Sequence, residues 1–194
     1  MSDYMSELFN KLSELNTDGS VDKKKLTQDI CDEAVSSGYT MTEVDTQRPW
    51  GAYIRFDDKD AGLLIEDFFS KLGSKDILLN NSVAGLSPKL LIVSPEARLS
   101  WQYHLRRSEL WSPINNASYY SSMDDNNKGE MQTRDAGDII NLSVLERHRL
   151  VGVVGSYSIV AEIWQHKYSD NPSTEDDIIR IEDDYSRKSP SGQL

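Results

Sequence analysis

Between Arg98 and Trp111 the chain reads R-L-S-W-Q-Y-H-L-R-R-S-E-L-W. In an extended strand, residues two apart share a face, so Gln102 and His104 point one way while Trp101 and Tyr103 point the other. Glu109 can return to the same side after a short turn. The chain has three histidines, and His148 lies in another β-rich stretch. Gln102, His104, Glu109 and His148 together offer two imidazole nitrogens, one carboxylate and one amide oxygen. That mixed set suits zinc, manganese, iron or nickel, with coordination positions left for water or substrate. The donors do not choose among these metals, and a strand histidine with a satisfied hydrogen bond is the alternative reading of either imidazole. His166 follows the last strong strand pattern without an evident carboxylate partner and stays outside the site.

The 194 residues suit one domain with a substantial core and short appendages. Lys plus Arg number 21 against 32 Asp plus Glu, a formal charge of -11, and no basic stripe interrupts the acidic balance. Nucleic acid is therefore not expected as a partner. The single cysteine, Cys31, has no second thiol to pair with, which favours a reducing setting. No apolar run is long enough for a membrane span, and the N-terminus lacks the basic start and apolar centre of a signal peptide. A soluble cytoplasmic protein with no membrane partner is expected.

Positioning these residues falls to a helical start and a β-rich remainder. Met5, Leu8, Phe9, Leu12 and Leu15 recur at helical spacing until Asn16–Ser20 breaks the pattern. A second helix is expected from near Asp22, with Leu26, Ile30, Ala34 and Val35 on its apolar face and Gly38 at a left-handed C-terminal cap. A third pattern covers Ala61–Leu72, with Gly73 just beyond. From Lys89 onwards short apolar or alternating runs (K-L-L-I-V, L-S-W-Q-Y-H, D-I-I-N-L, R-L-V-G-V-V, S-I-V-A-E-I-W) predict strands of a β-sandwich or small barrel. The polar Asn115–Asp135 stretch reads as a hairpin connection. Ser173 is expected to cap a short helix, the acidic run around Glu175–Asp184 to be a solvated tail that packs Ile178, Ile179 and Ile181 on the barrel, and the C-terminal K-S-P-S-G-Q-L to be disordered.

Four motifs in order add a family signal: R-P-W-G over residues 48–51, S-P-E-A-R-L-S-W-Q-Y-H over 94–104 with R-S-E-L-W over 107–111, E-R-H-R-L over 146–150, and E-D-D-I-I-R-I-E-D-D-Y-S-R over 175–187. The chain resembles phosphomannose-isomerase-type cupins. It is similar to the C-terminal domain of bifunctional mannose-1-phosphate guanylyltransferase and phosphomannose isomerase enzymes, and to stand-alone sugar-phosphate isomerase cupins. The resemblance covers about residues 47 to 187 and lacks the nucleotidyltransferase portion. It implies a mainly β fold, a cupin or double-stranded β-helix, as a domain over 47–187 behind an N-terminal helical segment (1–46) and before a disordered tail (188–194).

The resemblance also implies that Gln102, His104, Glu109 and His148 are the ligands of a divalent metal, zinc first, inside the barrel. Arg107 then lies beside the metal, where its guanidinium could stabilise an enediolate or fork onto phosphate. Lys89 matches a family lysine and joins Arg107 as a catalytic candidate. Trp50 is read as an aromatic plug in a rigid turn, or as an edge of the sugar pocket. The chain departs from the family at Glu96 and Leu145, where glycines are usual, at Leu105, where a histidine often stands, and after Trp111; shifted turn geometry and an altered pocket are the expectation.

The activity implied is aldose–ketose isomerisation of a sugar phosphate such as mannose 6-phosphate, in a protein that is expected, like the family, to form a homodimer. The alternatives are a non-catalytic metal-containing sugar-binding or regulatory cupin and an isomerase of an unphosphorylated sugar, since cupins host many functions.

Overall fold

The computed structural model describes residues 5–72, 85–123 and 126–190. Two helices open the chain, α1 (Glu7–Ser13) and α2 (Lys23–Ser36). Ser6 caps the first by accepting from Phe9 N at 3.0 Å, and Asp22 caps the second by accepting from Lys25 N at 2.9 Å. Gly38 ends α2 as expected, with φ +96°. Its N–H donates to Val35 O at 3.0 Å while Tyr39 N donates to Ala34 O at 3.1 Å, the paired bonds of a Schellman motif. Leu26, Ile30 and Ala34 are buried as expected, but Val35 is 53% exposed and lies off the apolar face.

A third helix, α3 (Ala61–Phe68), is shorter than the 61–72 pattern suggests, because Ser70–Leu72 tightens into a 3-10 turn. Its Leu64, Ile65 and Phe68 are nevertheless buried, as is Phe69 just beyond it. Gly73 lies outside the described residues.

Among the described residues, eleven strands follow the helical start or interleave with it: β1 (Met41–Asp45), β2 (Gly51–Phe56), β3 (Lys89–Val93), β4 (Trp101–Tyr103), β5 (Arg107–Pro113), β6 (Ala117–Ser122), β7 (Gln132–Arg134), β8 (Ile140–Leu142), β9 (Arg147–Val151), β10 (Ser158–His166) and β11 (Ile179–Glu182). Residues 41–45, read with the helical start in the sequence, are thus an edge strand. The strands form a six-stranded sheet ordered β1-β2-β3-β10-β5-β8 and a five-stranded sheet ordered β11-β4-β9-β6-β7. The pairs β6/β7, β5/β8, β4/β9 and β3/β10 nest inside one another, all antiparallel. One long hairpin, folded so that successive pairs alternate between sheets, is the double Greek-key jelly roll.

The polar 115–135 stretch is corrected by this topology. It contains β6 and β7, the innermost hairpin, because Ala117, Ser118 and Tyr119 are buried despite the polar neighbours. The helix expected behind Ser173 is likewise absent. Ser173 bonds Asp177 through its hydroxyl instead (2.7 Å), and the acidic run continues into β11, which pairs with β4. Lys188 and Ser189, expected in the tail, lie beside that strand: Arg180 donates from its backbone to Ser189 Oγ (2.8 Å) and from its side chain to Lys188 O (2.7 Å). Residues 191–194 lie outside the described residues.

The centre of the larger sheet is buried on both faces, which is why β3 and β10 read as near-continuous apolar runs. On its outer face Ile54, Leu90, Ile92, Ile159, Ala161 and Ile163 pack against the three helices. On its inner face Leu91, Val93, Trp111 and Val160 meet Tyr119 and Leu150 of the smaller sheet. Lys89, in phase with Leu91 and Val93, and Glu162, in phase with Val160, must therefore point inward.

Glu96 and Leu145 are two of four non-glycine residues, with Ser87 and Ser186, that hold a left-handed backbone among the described residues. Glu96 has φ +59° and Leu145 φ +69°, a region that glycine enters without side-chain penalty. Each therefore carries the side-chain strain of a left-handed residue. Gly51 is different: a Cβ there would sit 1.9 Å from Ile92 O, so the R-P-W-G motif needs its glycine where β2 crosses β3.

Candidate metal centre

Gln102 on β4 stands opposite His148 on β9, and His104 immediately follows β4. The backbone N–H of Leu145 donates to His104 O at 2.9 Å and ties the turn before β9 to the same spot. Glu109 approaches from β5 in the other sheet. Its Oε1 lies 3.1 Å from His104 Nε2 and its Oε2 3.4 Å from His148 Nε2. One ligand atom from each of His104, Glu109 and His148 falls within 4.8 Å of the others. All three side chains are buried, 2–3% exposed.

The tautomers follow from the neighbours. His104 Nδ1 faces the backbone oxygen of Asp177, and His148 Nδ1 faces that of Glu146 at 2.9 Å. A carbonyl only accepts, so each Nδ1 carries the proton and each neutral ring turns an Nε2 lone pair inward. This is the orientation in which metal-binding histidines are held. Burial, and then the Arg107 charge, lower the His104 pKa to about 4, so a second proton on the ring is disfavoured near neutrality.

Burial alone would raise the Glu109 carboxyl. With both rings neutral, it is the Arg107 guanidinium, donating from Nε to Oε1 at 2.8 Å, that outweighs burial and holds the group ionised, well below the usual carboxylate range. The result is two imidazole lone pairs set against a buried carboxylate. Glu109 Oε2 and His148 Nε2 have no hydrogen-bond partner among the described residues. Buried acceptors facing each other cost energy unless a cation joins them, so the donor set fits a divalent ion in chemistry and in its unmet needs.

Gln102 belongs to the cluster with its amide turned the other way. Its Nε2 is 3.5 Å from His104 Nε2, while Ser100 Oγ donates to its Oε1. Exchanging the amide oxygen and nitrogen would aim the oxygen at the centre, and the Ser100 hydroxyl can serve either orientation.

Arg107 is buried and its donors are engaged. Nε donates to Glu109 Oε1 (2.8 Å), and Nη1 to Ser173 Oγ (3.0 Å), Thr174 O (3.0 Å) and Asp177 O (3.2 Å). Nη2 lies 3.4 Å from His104 Nε2, and the guanidinium carbon sits 3.7 Å from the Trp164 ring centroid. Lys89 donates to Glu175 Oε1 at 2.8 Å, lies 3.9 Å from Glu162 Oε1, and sits 4.2 Å from the Trp164 ring centroid. Trp50 packs in the inter-sheet core.

A cavity of about 430 Å³ opens beside the centre, with Trp50, Lys89, Gln102, Arg107, Glu109 and Glu162 in its wall. His104 and His148 lie behind that wall. Sequence reasoning missed Glu162, whose signal was a lone carboxylate inside the apolar run S-I-V-A-E-I-W. Trp111 Nε1 donates to its Oε2 (3.0 Å) and Trp164 Nε1 to its Oε1 (3.2 Å). Burial first, and then the Glu109 charge, raise its pKa to about 7 against the pull of Lys89 and Arg107.

Asp177 was missed as well. Fully buried, it accepts from the backbone N–H groups of Leu105 (3.0 Å) and Arg106 (2.9 Å), so it holds the turn that carries His104 and Arg107. Its signal lay in an acidic run that, in sequence, looks solvated. His166 ends β10 with Nδ1 accepting from Ser173 N at 3.0 Å, outside the His104, Glu109 and His148 set.

No family model and no curated protein matches the sequence. Solved structures do. A capsular polysaccharide assembling protein CapF from Staphylococcus aureus superposes with a TM-score of 0.47 at 10% identity, covering 82% of this chain and 37% of that one. The oxalate decarboxylase of Lactobacillus farciminis, in a formate complex, gives 0.47 at 12% identity over 75% and 34%. A Cupin 2 conserved barrel domain protein from Salinispora arenicola gives 0.35 at 20% identity over 43% and 66%. The chain thus spans 37% and 34% of the first two proteins. Likeness at this level carries no chemistry, and the fold rests on the strands themselves. With β3-β10-β5-β8 facing β4-β9-β6-β7 in nested pairs, the chain has the cupin-type double-stranded β-helix fold, with its polar cluster between the sheets.

Proposed function

We propose that the protein is a metal-dependent aldose–ketose isomerase acting on a sugar phosphate of the mannose 6-phosphate kind. His104, Glu109 and His148 hold the metal in this reading, with Gln102 adding its amide oxygen. Zinc is the first ion to test, and manganese, iron and nickel are the alternatives. The observation that carries the reading is a pairing of two carboxylates in one cavity wall: Glu109, which with the buried His148 behind it has an unmet ligand atom, and Glu162, whose pKa is raised to about 7. The substrate class is supported by the ordered motifs described above.

Isomerisation moves a proton between the two carbons that exchange the carbonyl, and needs a base that can also give the proton back. Glu162, with a pKa of about 7, suits both halves near neutral pH. The indole N–H groups of Trp111 and Trp164 fix its two oxygens. Lys89 places a positive charge beside it. A bound divalent cation would supply Lewis-acid polarisation of the sugar oxygens. Arg107 is spent on the protein, so its part is to hold Glu109 ionised and in place rather than to grip phosphate.

The test is metal analysis of the purified protein together with conversion of mannose 6-phosphate to fructose 6-phosphate, with and without chelator. About one metal per chain and chelator-sensitive conversion are expected. A chain that takes up no metal under any loading condition would sink the proposal.

A further inference from the structure

Three arginines from separate segments line the same cavity: Arg48 before β2, Arg180 on β11 and Arg187 in the C-terminal turn. They are near enough to act on one another, for burial and then the Arg187 charge depress the Arg180 pKa, Asp183 opposes them, and Arg48 adds a smaller depression. Asp45 lies 2.9 Å from Arg48 Nε, and Asp183 lies 2.7 Å from Arg187 Nη2. Arg180 has no carboxylate in ion-pair range among the described residues. Its Nη1 donates to a backbone oxygen, and its Nε is buried without a partner.

Guanidinium groups that merely solvate a surface spread apart. Three that converge on a partly dry wall repel one another, and an anion would relieve that repulsion. The strand register puts this cluster beside the chemistry, because Arg180 is the cross-strand partner of Gln102. Directly opposed side chains lie on one face about 5 Å apart at Cβ, so Arg180 flanks the cavity next to the candidate metal donors.

We infer that Arg48, Arg180 and Arg187 form an anion subsite that receives the phosphate of the substrate, with Arg180 supplying the uncommitted donor. The inference rests on the isomerase reading for the identity of the ligand, but not for the existence of the subsite. It is tested with the full metal-loaded chain by calorimetric titration with inorganic phosphate, mannose 6-phosphate and mannose, on wild type, Arg180→Gln, Arg180→Lys and Arg48→Gln, each checked for metal content and melting temperature.

Loss of one charged donor should weaken both phosphate ligands about tenfold or more in Arg180→Gln. Arg180→Lys should recover part of the loss, Arg48→Gln should show a smaller one, and metal content should not change. Phosphate affinity that survives Arg180→Gln, or mannose binding as tightly as its phosphate, would overturn the subsite. Phosphate binding that depends on Arg180 in a protein that never converts mannose 6-phosphate would support the subsite and sink only the isomerase. Conversion with KM unchanged in Arg180→Gln would do the reverse.

Discussion

Replacing Glu162 by Gln should make the protein less active and, as pH rises, progressively more stable relative to wild type. Burial raises the Glu162 carboxyl from 4.5 to about 7, so the folded chain holds this proton more tightly than the unfolded one. Its contribution to stability is therefore fully present below about pH 4.5 and lost as pH rises through about 7. At about 1.36 kcal/mol per tenfold change in proton affinity, the loss amounts to about 3 kcal/mol. Glutamine cannot ionise and escapes it.

Glutamine has one oxygen for two indole donors, Trp111 and Trp164, so one N–H loses its acceptor at a cost of about 1–3 kcal/mol. That cost does not vary with pH. The difference in unfolding free energy between variant and wild type should therefore move by up to about 3 kcal/mol in favour of the variant from pH 5 to pH 8. Urea unfolding followed by tryptophan fluorescence, with chelator present at each pH, measures it. A difference that stays flat across this range would refute the buried, proton-holding Glu162. In turnover assays the same variant should lose about 10²- to 10⁴-fold in kcat with metal content intact, if Glu162 is the base.

Three further outcomes are expected. His104→Ala or His148→Ala should abolish metal retention in elemental analysis, and a full complement in either variant would remove that residue from the ligand set. Arg107→Lys should keep the metal but lower kcat at least about tenfold, because lysine cannot hold Glu109 while also reaching Ser173 and Thr174; unchanged kinetics would reduce Arg107 to packing. Leu145→Gly, with Leu145 43% exposed at φ +69°, should raise stability in urea unfolding by about 0.5–1 kcal/mol as left-handed strain is released, and a loss of stability would show that the side chain's contacts outweigh the strain.

The local pattern of residues was enough to read the Gly38 cap of α2, the amphipathic faces of α1 and α2, the main strands, and the alternation that turns Gln102 and His104 to one side. These depend on neighbours a few residues apart, where period and capping chemistry act directly. The polar strands β6 and β7 escaped because their burial comes from the facing sheet rather than from their own composition. The acidic run of residues 175–184 misled for the same reason. Asp177 is buried by the turn it caps, and Glu175 meets Lys89 from 86 residues away.

The sequence by itself offered the residues that could bind a metal and put Gln102 and His104 on one face. Only the tertiary structure brought Glu109 across from the opposite sheet, turned the His104 lone pair inward through the distant Asp177 carbonyl, buried Glu162 so that its pKa rises to about 7, and gathered Arg48, Arg180 and Arg187 on one wall. Donor type is a property of a residue. Desolvation and the field of neighbouring charges belong to a place in the fold, and no spacing along the chain encodes them.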